Sequence, residues 1–154
     1  MKVSDILKSK GDQLHTVSPE TLLSDCVIEM ADLDMGSLVV MDDERLVGVL
    51  TFREVIRVLA QRQKELRCGP TPPVAELRVG DVMERNPIYA TPDMALQDLR
   101  AMMIHHHQRY LPVLQHEILV GVISFHDIAK SVYEEQRFEN KMLRAYIQDW
   151  PVEA

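Results

Sequence analysis

Leu46-Val47-Gly48-Val49-Leu50 and Leu119-Val120-Gly121-Val122-Ile123 are one phrase written twice, 73 residues apart. A fixed internal period means that one folding unit is used more than once. Outward from the phrase the register holds. Pro19 falls on Pro92, Leu23 on Leu96, Asp25 on Asp98, Met30 on Met103, Leu38 on Leu111 and Val40 on Val113; downstream, Phe52 falls on Phe125. No gap is needed from Ser18 to Leu59. Further upstream, Val3-Ser4-Asp5-Ile6-Leu7 echoes Val79-Gly80-Asp81-Val82-Met83 at an offset of 76, so one copy carries three extra residues before its first strand.

Each copy reads as β-α-β-β-α. Leu14–Val17 and Ile88–Ala90 are short apolar strands. Ser18-Pro19-Glu20 and Thr91-Pro92-Asp93 have the form of helix starts, with a hydroxyl cap, a proline and an acid. Leu22, Leu23, Cys26, Val27 and Met30 recur at helical spacing, as do Leu96, Leu99, Met102 and Met103. Ser37–Met41 and Leu111–Leu114 are strands that turn through Asp42–Arg45 and Gln115–Glu117 into Leu46–Leu50 and Ile118–Ile123. Second helices follow from Thr51 and Ser124. The expected architecture is α/β: unit 1 over 1–66, a linker over 67–76, unit 2 over 77–136 and a helical tail over 137–154. Gly69 and three prolines break the linker. The tail carries Phe138, Met142, Tyr146 and Trp150 at four-residue spacing, without counterpart in unit 1.

Composition narrows the function. Lys and Arg number 17 against 24 Asp and Glu, a net charge of −7, which argues against a nucleic-acid binder. Three Phe, four Tyr and one Trp are too few for a base-stacking platform. Cys26 and Cys68 have no metal or redox spacing, Cys26 reading as a buried thiol. MKVSDILKSKGDQ holds no apolar core of signal-peptide length, and no run approaches a membrane span. A cytoplasmic location is the expectation.

Arg109-Tyr110-Leu111-Pro112-Val113 followed by Leu119-Val-Gly-Val-Ile-Ser-Phe-His-Asp127 resembles the cystathionine-β-synthase (CBS) domain, and the repeat resembles a tandem pair, a Bateman module, like the small stand-alone bacterial CBS-pair proteins. The resemblance covers about residues 1–136. It implies two units related by a pseudo-twofold axis, packed sheet to sheet, with two chains pairing through their helices into a disc-like homodimer. It also implies a regulatory ligand from a set that includes AMP, ADP, ATP, NAD(H) and S-adenosylmethionine. Family ligand chemistry rests on Gly-h-h-Ser/Thr-x-x-Asp, where h is apolar. Unit 2 matches it with Gly121, Ser124 and Asp127. There Asp127 would accept ribose hydroxyls and His126 would donate to phosphate, and His107 and Arg109 would line the phosphate end. Ile88, Ala90, Tyr110, Leu111 and Pro112 would wall the adenine. Unit 1 departs from the pattern: Gly48, Thr51 and Arg53 are present, but Glu54 replaces the aspartate. Its site would use His15, Val17, Ser37, Leu38, Thr51, Arg53 and Glu54, and is expected to bind more weakly.

Ser124-x-x-Asp127 and Thr51-x-x-Glu54 equally have the spacing of capping boxes, in which hydroxyl and carboxylate satisfy helix N-terminal amides. The surrounding pattern favours the ligand role at Asp127 and leaves both readings open at Glu54. His105-His106-His107 suggests a metal, but residues at i and i+2 do not share a helix face and no acid completes a ligand set. Asp42-Asp43-Glu44 lacks the spacing of a calcium loop. No nucleophile–base pair or Gly-rich phosphate loop appears. The sequence therefore points to a non-catalytic module, without a required cofactor or metal, that binds an adenine nucleotide and regulates an unidentified protein. The rival is a ligand-free interaction or oligomerisation module.

Overall fold

The computed structural model describes residues 1–11, 14–66 and 76–149. The linker expected over 67–76, apart from Glu76, lies outside them, as do Cys68 and Trp150. The elements run α1 (Val3–Lys10), β1 (Thr16–Val17), α2 (Leu23–Asp32), β2 (Ser37–Asp42), β3 (Arg45–Thr51), α3 (Phe52–Leu66), α4 (Val79–Val82), β4 (Glu84–Arg85), α5 (Leu96–His105), β5 (Tyr110–Gln115), β6 (Ile118–Ser124) and α6 (Phe125–Gln148). The expected α/β repeat is present, with sheet order β1-β2-β3-β4 in one half and β5-β6 in the other.

The hairpins follow from local chemistry. Asp43 and Glu44 have φ of 50° and 64°, and His116 and Glu117 have 51° and 67°. Both central residues of each two-residue loop are therefore left-handed, the turn whose twist matches paired strands. Each hairpin also has a one-residue register shift, between Val40 and Met41 and between Val113 and Leu114.

Three expected features are corrected. Ser18-Pro19-Glu20 and Thr91-Pro92-Asp93 do not start helices. Thr21 N–H donates to Ser18 C=O at 3.1 Å and Met94 N–H to Thr91 C=O at 3.2 Å, closing turns before helices that begin at Leu23 and Leu96. Proline's fixed φ suits the second turn position as well as the first helical one, so the local signal is degenerate. Ile88–Ala90 does not form a strand: the only pairing there is a single parallel bridge, Ala90 to Val113. Val27, expected on the buried helix face, is 38% exposed.

Both cores are built by exchange. Val3 and Ile6 of α1 are buried with Leu99, Met103, Leu111, Val113, Ile123 and Ile128 of the second half. Val79 of α4 is buried with Leu23, Cys26, Leu38, Val40 and Leu50 of the first. The docking bonds correspond one to one. Val3 N–H reaches Met94 C=O at 3.0 Å and Val79 N–H reaches Thr21 C=O at 2.9 Å. Ser4 reaches Pro92 at 2.8 Å and Gly80 reaches Pro19 at 2.9 Å. Each short helix thus sits on the turn of the other half, and this reciprocity ties the halves into one body.

This packing explains the glycines of the repeated phrase. A Cβ at Gly121 would come 2.6 Å from Leu7 Cδ2, and one at Gly48 would come 2.5 Å from Met83 Sδ and 2.8 Å from the Glu84 carbonyl. Leu7 and Met83 are equivalent in the 76-residue echo. The glycine of the Gly-h-h-Ser/Thr-x-x-Asp pattern makes room here for the exchanged helix.

The tail is not a separate element. Phe125–Gln148 is one 24-residue helix whose only buried residue is Ile128. Its outer part presents Phe138, Met142, Leu143 and Ile147, each more than half exposed.

Candidate functional site

Where β3 and β6 end and the next helices begin, backbone N–H groups point outward without helical partners. The second half fills this position with a capping box, and the first with a related cap in which Arg53 N–H, not Glu54 N–H, donates to the Thr51 hydroxyl oxygen at 3.1 Å. In the second, Ser124 N–H donates to Asp127 Oδ2 at 2.9 Å and Asp127 N–H donates to Ser124 Oγ at 3.1 Å. In the first, Thr51 N–H donates to Glu54 Oε2 at 2.7 Å, and the Thr51 hydroxyl donates to the same oxygen. Glu54 is 4% exposed and is the only buried residue of α3.

The two carboxylates then diverge. Lys10, at the end of α1, donates to Asp127 Oδ2 at 2.8 Å and to the Val122 carbonyl at 2.7 Å. Burial pushes the Asp127 carboxyl up, but the hydrogen bonds from Lys10 and from the Ser124 amide, with the Lys10 charge, outweigh it and hold the group below the ordinary aspartate value. Sequence reading missed Lys10. It lies outside every local motif, and it meets Asp127 because α1 docks on the second half.

A cleft of about 820 Å³ opens between the halves, within the range of small-molecule sites. The first half contributes His15, Met35, Gly36, Ser37 and Phe52; α1 contributes Lys8 and Lys10; the second half contributes Tyr110, Val122, Ser124 and His126. Two lysines and two histidines face it against one acid, Asp34, although the chain as a whole is acidic. Tyr110 bridges the halves, since a Cβ on Gly36 would lie 1.7 Å from its hydroxyl.

Of the residues singled out from sequence, His15, Ser37, Tyr110, Ser124 and His126 share this cleft. Asp127 joins it through Lys10. The others are placed elsewhere. Ala90, Leu111 and Leu38 are core residues with at most 1% exposure, and Pro112 is buried. The Ala90 N–H is spent on the Pro112 carbonyl at 2.9 Å, and the Ala90 carbonyl accepts from Leu114 N–H at 2.9 Å, so this wall offers an adenine few free polar groups. Ile88 packs against the second core and Val17 against the first. Thr51 is buried with Glu54, to which its N–H donates. Arg53 donates across the halves to the carbonyl of His107, itself left-handed at φ 54°. The side chains of His107 and Arg109 are exposed outside the cleft lining. His105 and His106 stack edge to face at 4.9 Å, and among the described residues no group of three His, Cys, Asp or Glu is arranged to hold a metal. No described helix is long and apolar enough to cross a membrane.

Comparison with known proteins agrees with this architecture. A CBS domain-containing protein of Bacillus subtilis, YhcV, is 30% identical over 128 residues, covering 82% of this chain and 84% of its own length. The structure of a protein with CBS domains from Burkholderia ambifaria superposes with a TM-score of 0.78 at 29% identity, over 88% of this chain and 96% of that one. A crystal structure of CBSX2 in complex with AMP has the same fold, with a TM-score of 0.70 at 22% identity over 88% of this chain and 98% of that one. The CBS domain family model matches twice, over residues 3–61 and 79–134. With both matches falling on the two halves that exchange their first helices, the chain belongs to the CBS domain family as a tandem pair.

Proposed function

We propose that the chain is a regulatory rather than catalytic module whose inter-half cleft binds an adenine nucleotide (AMP, ADP, ATP or NAD(H)) and signals its occupancy to a partner protein. The observation that carries this is the cation-lined cleft beside Asp127. Lys8, Lys10, His15 and His126 suit a phosphate, and Phe52 and Tyr110 supply apolar surface for a flat base. The AMP seen in CBSX2 gives the reading a precedent within the fold. The second half carries the stronger site in this reading, because Glu54 is already buried on its own Thr51. Pairing of two chains through their helices belongs to the same proposal, supported by the exposed Phe138, Met142 and Leu143 of α6. So does a cytoplasmic location, supported by the free buried thiol of Cys26.

Titration calorimetry with AMP, ATP and NADH tests the ligand. A nucleotide at a hundred times its Kd adds about 2.7 kcal/mol of stability, and Asp127→Ala weakens its binding by about tenfold or more. Unchanged affinity in that variant, with a lower melting point, would assign Asp127 to capping alone. Absence of binding by all three nucleotides would favour a ligand-free interaction module, a reading that the closed Thr51–Glu54 pair also suits.

A further inference from the structure

In the first half, β4 covers the outer edge of β3, pairing Glu84 with Val49 and Arg85 with Gly48. The 76-residue echo places Lys8 and Ser9 where Glu84 and Arg85 stand, but α1 stays helical through Lys10. Among the described residues β6 therefore has no strand on that edge. The Lys10 ammonium takes over one of its functions: Val122, the counterpart of Val49, has its carbonyl satisfied by Lys Nζ at 2.7 Å. The same ammonium lies 2.8 Å from Asp127 Oδ2. It is 38% exposed, against 15% for Asp127, and it lines the cleft.

We infer that Lys10 is a specificity-determining residue, an internal cation that makes the second-half site select phosphorylated over neutral nucleosides. This rests on the nucleotide-binding reading above. A ligand whose ribose hydroxyls approach Asp127 must compete with a charge-assisted hydrogen bond. A neutral nucleoside that displaces Lys10 leaves the ammonium with only the Val122 carbonyl. A nucleotide offers it a phosphate in exchange, within a cleft that Lys8 and His126 also face. The side chain is tethered at the end of α1, so the displaced charge stays beside the ligand. Among the described residues Glu54 has no cation paired with it: it is closed on Thr51, and α4 ends at Val82.

Calorimetric titration of the full chain with AMP and with adenosine tests this. Wild type should bind AMP about tenfold or more tighter than adenosine, the worth of one charge-assisted contact. Lys10→Met should weaken AMP and strengthen adenosine, bringing the two affinities together. Lys10→Arg keeps the charge and should keep the preference. Far-UV circular dichroism checks the fold, and Lys10→Gln, which retains a donor for Val122 without charge, repeats the test if methionine disturbs it. Binding of both ligands by Lys10→Met with the wild-type ratio would overturn the inference and leave the nucleotide reading standing. Equal affinities in wild type would do the same. Binding of neither ligand by wild type would overturn both.

Discussion

Glu54 and Asp127 stand 73 residues apart at the same point of the repeat, each accepting from the backbone N–H of the hydroxyl residue three positions earlier. Glu54 is buried, and both its recorded bonds go to Thr51. Asp127 is part-exposed, and its Oδ2 is shared between Ser124 and a lysine 117 positions away. One extra methylene lets the glutamate fold inward over its own helix start. The shorter aspartate stays near the surface, within reach of α1. Equivalent local motifs thus end as a carboxylate buried on its own threonine in one half and a lysine-paired carboxylate beside the inter-half cleft in the other. A capping spacing fixes the helix start and leaves open what else the carboxylate does.

The difference should be largest in stability. Glu54→Ala strands a buried N–H and hydroxyl of Thr51, at a cost of about 3 kcal/mol, whereas Asp127→Ala at its wetter site costs about 1 kcal/mol. Urea denaturation of both variants measures this, and equal losses would end the distinction between the halves.

A smaller contrast is expected at the glycines. In Gly48→Ala the new Cβ meets the Glu84 backbone carbonyl at 2.8 Å as well as Met83, and backbone yields poorly. In Gly121→Ala the sub-3 Å contact is the end of the Leu7 side chain, which can rotate. Overpacking should cost about 2–3 kcal/mol in the first and about 1 kcal/mol or less in the second. The reverse order of melting temperatures would mean that α4 is more loosely docked than α1.

The smallest effect is acid dependence. The folded Asp127 carboxyl titrates below the unfolded value of about 3.9. Its ionisation therefore stabilises the fold fully above that pH, and the contribution is lost as pH falls through the lower, folded value. Lys10→Met should cost about 0.5–1 kcal/mol at neutral pH, kept small by the 38% exposure of Lys10. The gap to wild type should narrow in strong acid, where Asp127 is protonated in both and only the Lys10 bond to the Val122 carbonyl still separates them. A constant gap between the two pH–stability curves would show that Lys10 acts through the Val122 carbonyl alone.

The sequence by itself determined what depends on neighbours a few positions away or on self-similarity. The two hairpins, the Ser124 and Thr51 helix starts and the repeat are all of this kind. Where two local structures share one signal, as at Ser18-Pro19-Glu20, the reading went to a helix and the chain made a turn. The tertiary structure decided which half each opening helix serves, because burial of Val3 against Leu99 or of Val79 against Leu23 depends on shape complementarity between segments far apart in the chain. That exchange gives Gly121 and Gly48 their packing role. It also moves Ala90 and Leu111 into the core instead of the cleft, and it brings Lys10 to Asp127. An ion pair 117 positions apart leaves no periodicity or spacing in the sequence; it exists only once α1 has docked on the opposite half.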